Sequence, residues 1–212
     1  LKEAGIGFMT RLKLLISSFL LIHISSCAFI SYNEIPSLFS NAIFGAEKIF
    51  IKKDFYNKAD FSFINIRLNN KSSAVLTLFN VDNKYLKWIS SDGEILITSN
   101  GKIHQTIGLP NDYEIINNEF MLKDNLTFNH YIKLSNPDGF FAAQNNILFA
   151  GKSEINYLEE MVNVDVYKET SYIQMLNRKV VNTYYVNENR VLKSIQDVQP
   201  GLGKIDIEYY YK

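Results

Sequence analysis

The chain is predicted to be mainly β: an antiparallel, meander-rich sandwich or partly open barrel with one short N-terminal helix. Three observations lead there. From Phe61 onward, apolar residues recur at every second position rather than every third or fourth. Two hairpin signals, Asp92-Gly93 and Asn100-Gly101, lie close together between such runs. Short strands at regular spacing then continue to the C-terminus with no long helical period between them, as in all-β sandwiches and barrels.

The N-terminal residues read differently. Met9 is the expected start, and Leu1 to Phe8 are set aside from the fold. Arg11 and Lys13 form a positive n-region, and Leu14 to Ile24 an apolar stretch interrupted by Ser17, Ser18 and His23. A secretory h-region needs about 7–15 apolar residues, and a spanning helix about 20. Ile24-Ser25-Ser26-Cys27 then has the form of a lipobox. Ser25 and Ser26 are small enough for an extended backbone to enter a peptidase site. The Cys27 thiol would carry diacylglycerol before cleavage, and its freed amine a further acyl chain. No other cofactor is expected.

After Cys27, the residues Ile35, Leu38, Phe39, Ala42 and Ile43 share one face at helical spacing. Ser31 or Asn33 can cap this helix, Pro36 suits its first turn, and Gly45 ends it, so a helix is expected over 34–45. The division expected is a signal peptide over 1–26, a lipidated N-terminus and helix over 27–60, and one β domain over 61–212.

Strands are expected in order at 61–68, 74–81, 85–89, 94–98 and 102–107, the last three joined by the two hairpins. The second half supplies 129–134, 146–149, 155–157, 163–168, 172–176, 180–186, 191–198 and 204–211. Asn136-Pro137-Asp138-Gly139 reads as a loop, and Asn187-Glu188-Asn189 as a hairpin tip. The last strand alternates, with Ile205, Ile207, Tyr209 and Tyr211 on one face.

Composition narrows the function. The chain holds 22 basic and 22 acidic residues, and loss of the signal would leave 19 and 21. A nearly neutral domain has no electrostatic footprint for nucleic acid. Cys27 is the only cysteine, so no disulfide can form within the chain. His104 and His130 have no ligand-spaced Cys or carboxylate beside them, and no Gly-x-Ser-x-Gly elbow occurs. Gly201-Leu202-Gly203-Lys204 lacks the rest of a phosphate loop and precedes a strand. Glu159 and Glu160 are adjacent, and on a strand they would point to opposite faces, unlike a glycosidase pair. Trp88 is either core, flanked as it is by Leu86 and Ile89, or a sugar-stacking platform. Tyr184, Tyr185, Tyr209, Tyr210 and Tyr211 are too many to bury on one face, so some are expected at the surface as an interaction site.

Three motifs occur in order: Lys87-Trp88-Ile89-Ser90-Ser91-Asp92, Leu96-Ile97-Thr98-Ser99-Asn100-Gly101-Lys102, and Thr106-Ile107-Gly108-Leu109. Near the C-terminus come Asn182-Thr183-Tyr184-Tyr185-Val186, Val191, Ser194, Gln196 and Gly201. This set resembles the YjbF/GfcB family of group 4 capsule and exopolysaccharide lipoproteins, over nearly all of the mature chain. Lys102 stands where Arg is usual, Gln105 where Lys is common, and Tyr185 where Trp is found.

The resemblance implies a β-rich lipoprotein without enzymatic activity, acting in capsule or exopolysaccharide production and export. Its implied location is the periplasmic face of the outer membrane, held by lipid. The implied partners are export proteins of the outer membrane and periplasm, with polysaccharide itself a further candidate. Trp88, Asp92, Asn100, Gly101 and Lys102 are the candidate binding surface, and no catalytic residue is carried over. Two other readings remain open from the residues: a carrier with an apolar pocket for lipid or lipid-linked sugar, and a polysaccharide-modifying hydrolase.

Overall fold

The computed structural model describes residues 50–69, 72–109, 111–116 and 120–212. The signal segment, the lipobox with Cys27 and the expected helix over 34–45 lie outside them. The described helix is a different one, α1 (Lys53–Lys58), with Asp54 in its first turn and Lys58 in its last, as the helix dipole favours.

Twelve strands follow among the described residues: β1 (Phe63–Leu68), β2 (Ser72–Asp82), β3 (Tyr85–Ile89), β4 (Ile95–Ser99), β5 (Lys102–Ile107), β6 (Tyr113–Ile116), β7 (Leu126–Ser135), β8 (Asp138–Tyr157), β9 (Glu160–Ile173), β10 (Arg178–Asn187), β11 (Arg190–Gln196) and β12 (Ile205–Tyr210). Each pairs antiparallel with its neighbour, and β1 pairs with β12, from Phe63↔Tyr210 to Leu68↔Ile205. The sheet therefore closes into a barrel and leaves no open edge.

The hairpins form for the reasons the turns suggest. Asn100 and Gly101 take φ of 48° and 77°, the two left-handed positions of a tight two-residue turn. Glu188 and Asn189 do the same between β10 and β11. The second half is more continuous than expected. The segments anticipated at 146–149 and 155–157 are one twenty-residue strand, β8, and those at 163–168 and 172–176 are largely β9.

Every second residue faces inward. On β8 the buried positions are Phe141, Ala143, Asn145 and Ile147, and the residues between them are exposed. Apolar side chains thus make up most of the lumen, with polar ones such as Asn145 among them, and the outward positions of β8 are mixed, with Phe140, Ala142, Gln144, Asn146 and Leu148. A twelve-stranded barrel is wider than the eight-stranded size that side chains just fill. Here large residues close the gap: Trp88, Tyr184, Tyr209, Ile103 and Leu134 are fully buried. Phe120, on the connection from β6 to β7, packs inward against Tyr184 with ring centroids 5.2 Å apart.

Past the register shift at Phe149/Gly151, β8 and β9 continue as an extension joined by Leu158-Glu159. It seals part of the outer face. Val164, Val166 and Leu192 are buried against Ile155, Tyr157 and Val162. Tyr157 stacks on Tyr210 and donates a hydrogen bond to the Tyr209 carbonyl at 2.6 Å. Lys53 of α1 pairs with Glu160.

That seal corrects the expectation for the C-terminal tyrosines. Tyr184 and Tyr209 lie in the lumen, Tyr210 is buried beneath the extension, and Tyr185 and Tyr211 are half-buried. The exposed aromatics are elsewhere: Phe50, Phe55 and Phe61 before β1, and Phe79, Tyr131, Phe140, Phe149 and Tyr172 on the strands.

Candidate functional site

The densest polar chemistry lies inside the barrel and starts at Gly101. Its positive φ turns the chain from β4 into β5. A Cβ there would stand 2.5–2.8 Å from three side-chain atoms of Val191. The Gly101 carbonyl faces the lumen and accepts hydrogen bonds from Gln196 Nε2 at 2.7 Å and Tyr209 Oη at 2.9 Å. Gln196 uses its other atom as well, with Oε1 accepting from the Ile103 amide at 2.9 Å.

The next residue, Lys102, extends its ammonium to Glu169 Oε1 at 2.5 Å. Glu169 Oε2 accepts from Asn182 Nδ2 at 3.0 Å and Tyr184 Oη at 2.8 Å. The Phe120 and Phe128 rings lie 4.8 and 5.5 Å from the Lys102 ammonium, within cation–π range. Lys102 is 4% exposed and Glu169 0%. Burial alone would raise the Glu169 carboxyl. The Lys102 charge and the hydrogen bonds from Lys102, Asn182 and Tyr184 outweigh it and hold the pKa below its ordinary value. Burial, and then the Glu169 charge, keep the Tyr184 phenol well above its usual range.

His130 lines the same interior. Its Nδ1 lies 2.9 Å from Asn145 Nδ2, and burial followed by the Lys102 charge lowers its pKa to about 3, so it is neutral. A cavity of about 10 Å3 adjoins it, between Lys102, Tyr113 and Asn182. Among the described residues no group of three or more His, Cys, Asp or Glu is placed to hold a metal ion.

Of the five residues expected to form a surface, three are interior. Trp88 is fully buried and donates from Nε1 to Thr98 Oγ1 at 2.9 Å; Gly101 and Lys102 are buried in the network above. Asp92 and Asn100 are exposed on two different hairpin tips, and Asn100 Nδ2 is tied to the Phe120 carbonyl at 2.9 Å. The five residues therefore do not form one exposed patch. The two halves of the motif meet across the lumen: Gly101, Lys102 and Ile103 on one wall, Asn182, Ser194, Gln196 and Tyr209 on the other.

Glu169 was missed at the sequence level. Its signal was its parity with Ile173 on one strand, which places it inward. His104 is half-buried with its ring 4.6 Å from that of Tyr85. Glu159 sits at the tip of the extension, and Gly201 to Lys204 form a turn into β12 that Asn69 holds, accepting from the Lys204 amide at 3.0 Å.

One end of the barrel opens as a depression of about 730 Å3, lined by Leu86, Asn100, Tyr167, Arg190, Tyr211 and Lys212 among others. Its rim carries Lys84, Arg190 and Lys212 together with Asp165 and Glu188.

A closed antiparallel barrel whose interior is largely occupied by its own side chains defines a class of compact β scaffold. The chain belongs to the family of the group 4 capsule polysaccharide lipoproteins GfcB and YjbF, whose family model matches residues 37–210. It is similar to the uncharacterized lipoprotein GfcB of Escherichia coli strain K12, at 24% identity over 206 residues, covering 92% of this chain and 95% of that protein. Its fold is also that of the hypothetical lipoprotein YmcC from E. coli K12, whose crystal structure aligns with a TM-score of 0.67 at 21% identity, over 84% of this chain and 93% of that one. Family membership makes the protein a lipoprotein.

Proposed function

We propose that this protein is a non-enzymatic factor in capsule or exopolysaccharide production and export, anchored through lipid at Cys27 to the periplasmic face of the outer membrane. Its family supports the pathway. The filled lumen supports binding over carriage. A carrier of lipid or lipid-linked sugar needs an apolar cavity of several hundred Å3. The cavity beside His130 measures about 10 Å3, and the larger depression is an open mouth whose lining mixes Leu78, Leu86, Leu122, Val186 and Val191 with Asn83, Asp165, Glu188 and Arg190, not an enclosed apolar chamber. The strongest charges inside, Lys102 and Glu169, are spent on each other, which favours a structural role over proton transfer. Partners are then engaged from the outer surface. A lipid anchor would raise their effective concentration by confining both to one membrane.

The test combines two measurements. Exported polymer is quantified in a deletion strain, and reducing ends are followed while the purified full chain is incubated with that polymer. Reduced export without reducing-end release is the expected result. Normal export removes the pathway assignment. Steady release, abolished by a single carboxylate substitution, makes the protein a hydrolase.

A further inference from the structure

The four long strands β7 to β10 present an outer face unlike the rest of the molecule. Their outward positions are 127, 129, 131 and 133 on β7, 140 to 148 at every second residue on β8, 168, 170 and 172 on β9, and 179, 181 and 183 on β10. These positions hold three lysines, Lys133, Lys168 and Lys179, and no carboxylate, in a chain with 22 acidic residues. None of the three lysines has an ion-pair partner among the described residues. Glu114 on β6, opposite Lys133, and Asp138 at the β7–β8 turn lie only at the margin. By contrast, Lys193 and Arg67 on the β11–β12–β1 side are paired with Asp206 and Glu208, and the mouth has Asp165 and Glu188 beside its cations.

The face also carries exposed rings and amides in register. Tyr131 is 54% exposed, Phe140 60% and Tyr172 40%. Asn129, Gln144, Tyr172 and Lys179 pair directly across the four strands and form one row. The next row is Thr127, Asn146, Thr170 and Val181. Rows stand about 7 Å apart along the strands, and strands about 5 Å apart. The surface is open, so it suits a polymer lying across it and cannot enclose a small molecule.

We infer that the outer face of β7–β10 binds a strand of acidic polysaccharide. This rests on the pathway reading above and names the ligand class and the surface. Side-chain amides match the paired donors and acceptors of sugar hydroxyls. The Tyr131 and Tyr172 rings offer apolar faces with a polar tip, suited to the C–H faces of sugar rings. The uncompensated lysines complement sugar carboxylates and exclude a positively charged partner.

The test uses the full chain purified in detergent, with four probes: oligogalacturonate as acidic glycan, maltohexaose as neutral glycan, polyglutamate as a non-sugar polyanion, and dihexanoyl-phosphatidylglycerol as a soluble anionic lipid. Oligogalacturonate is expected to bind in preference to the other three. Lys133→Gln/Lys168→Gln/Lys179→Gln is expected to weaken it roughly tenfold, from the small contribution of each exposed charge. Tyr131→Ala/Tyr172→Ala is expected to abolish the preference for glycan over polyglutamate. All five side chains are exposed, and unchanged circular dichroism confirms the fold. Equal or tighter binding of polyglutamate points to an acidic protein, and of the lipid to a membrane surface; either overturns the inference, as does no binding. If binding fails while the deletion strain still loses polymer, the inference falls and the pathway reading stands. If binding holds while export is normal, the reverse is true.

Discussion

The Lys102 ammonium and the Glu169 carboxylate meet 2.5 Å apart inside the barrel, although 67 residues separate them in the chain. Both are shielded from solvent, and every oxygen of Glu169 has a partner. Removing one charge strands the other in a low-dielectric interior, whereas replacing both removes the desolvation cost as well.

Glu169→Gln or Lys102→Met alone should therefore lower the stability of the full chain by about 3–5 kcal/mol in urea unfolding. The double replacement Lys102→Met/Glu169→Gln, which keeps a side-chain acceptor near Asn182 and Tyr184, should recover part of that loss. Additive single costs would show that the pair is not coupled. The pair also has a pH signature. The folded-state pKa of Glu169 is held below its ordinary 4.5, so its contribution is complete above that value and is lost as pH falls further.

His130 gives a second, separate pH window. Its folded pKa is about 3 against an ordinary 6.5, so the unfolded chain binds the proton first. Stability should fall as pH drops below 6.5, by about 1–2 kcal/mol between pH 6.5 and 5. His104, whose pKa is also lowered by burial and by Lys102, acts in the same direction. Comparing the urea midpoints of wild type and His130→Gln across that range isolates the His130 part, and parallel curves would refute it.

Gly101→Ala should destabilise through two effects. Its φ of 77° costs an L-residue about 1–3 kcal/mol, and the new methyl overlaps Val191 at a similar cost. Adding Val191→Ala deletes the two methyls at 2.5 and 2.8 Å but keeps Cβ at 2.7 Å, so it should restore only part of the packing cost. No rescue at all would show that those two methyls contribute nothing to it.

Cys27→Ser should abolish palmitate labelling and leave the signal uncleaved by the lipoprotein peptidase. Wild-type labelling of that variant would place the acyl chains elsewhere.

Local chemistry made much of this protein readable along the chain. Period-two alternation marked the strands because one sheet face must be buried. Asn100-Gly101 marked a hairpin because few other residues accept its left-handed turn. Residues 113–116 escaped notice because four residues are too short to show a period. The closure of β1 on β12, the burial of Tyr210 beneath the β8–β9 extension and the pairing of Lys102 with Glu169 were not readable. Each joins segments far apart in the chain. Alternation says that two faces differ, but it does not say which strand meets which, or what covers a face from outside. For the same reason the motif around Trp88 and Lys102 looked like a surface. Its residue types suit either a ligand or a buried network, and only the opposite wall of the barrel, with Gln196, Tyr209 and Glu169 on it, distinguishes the two.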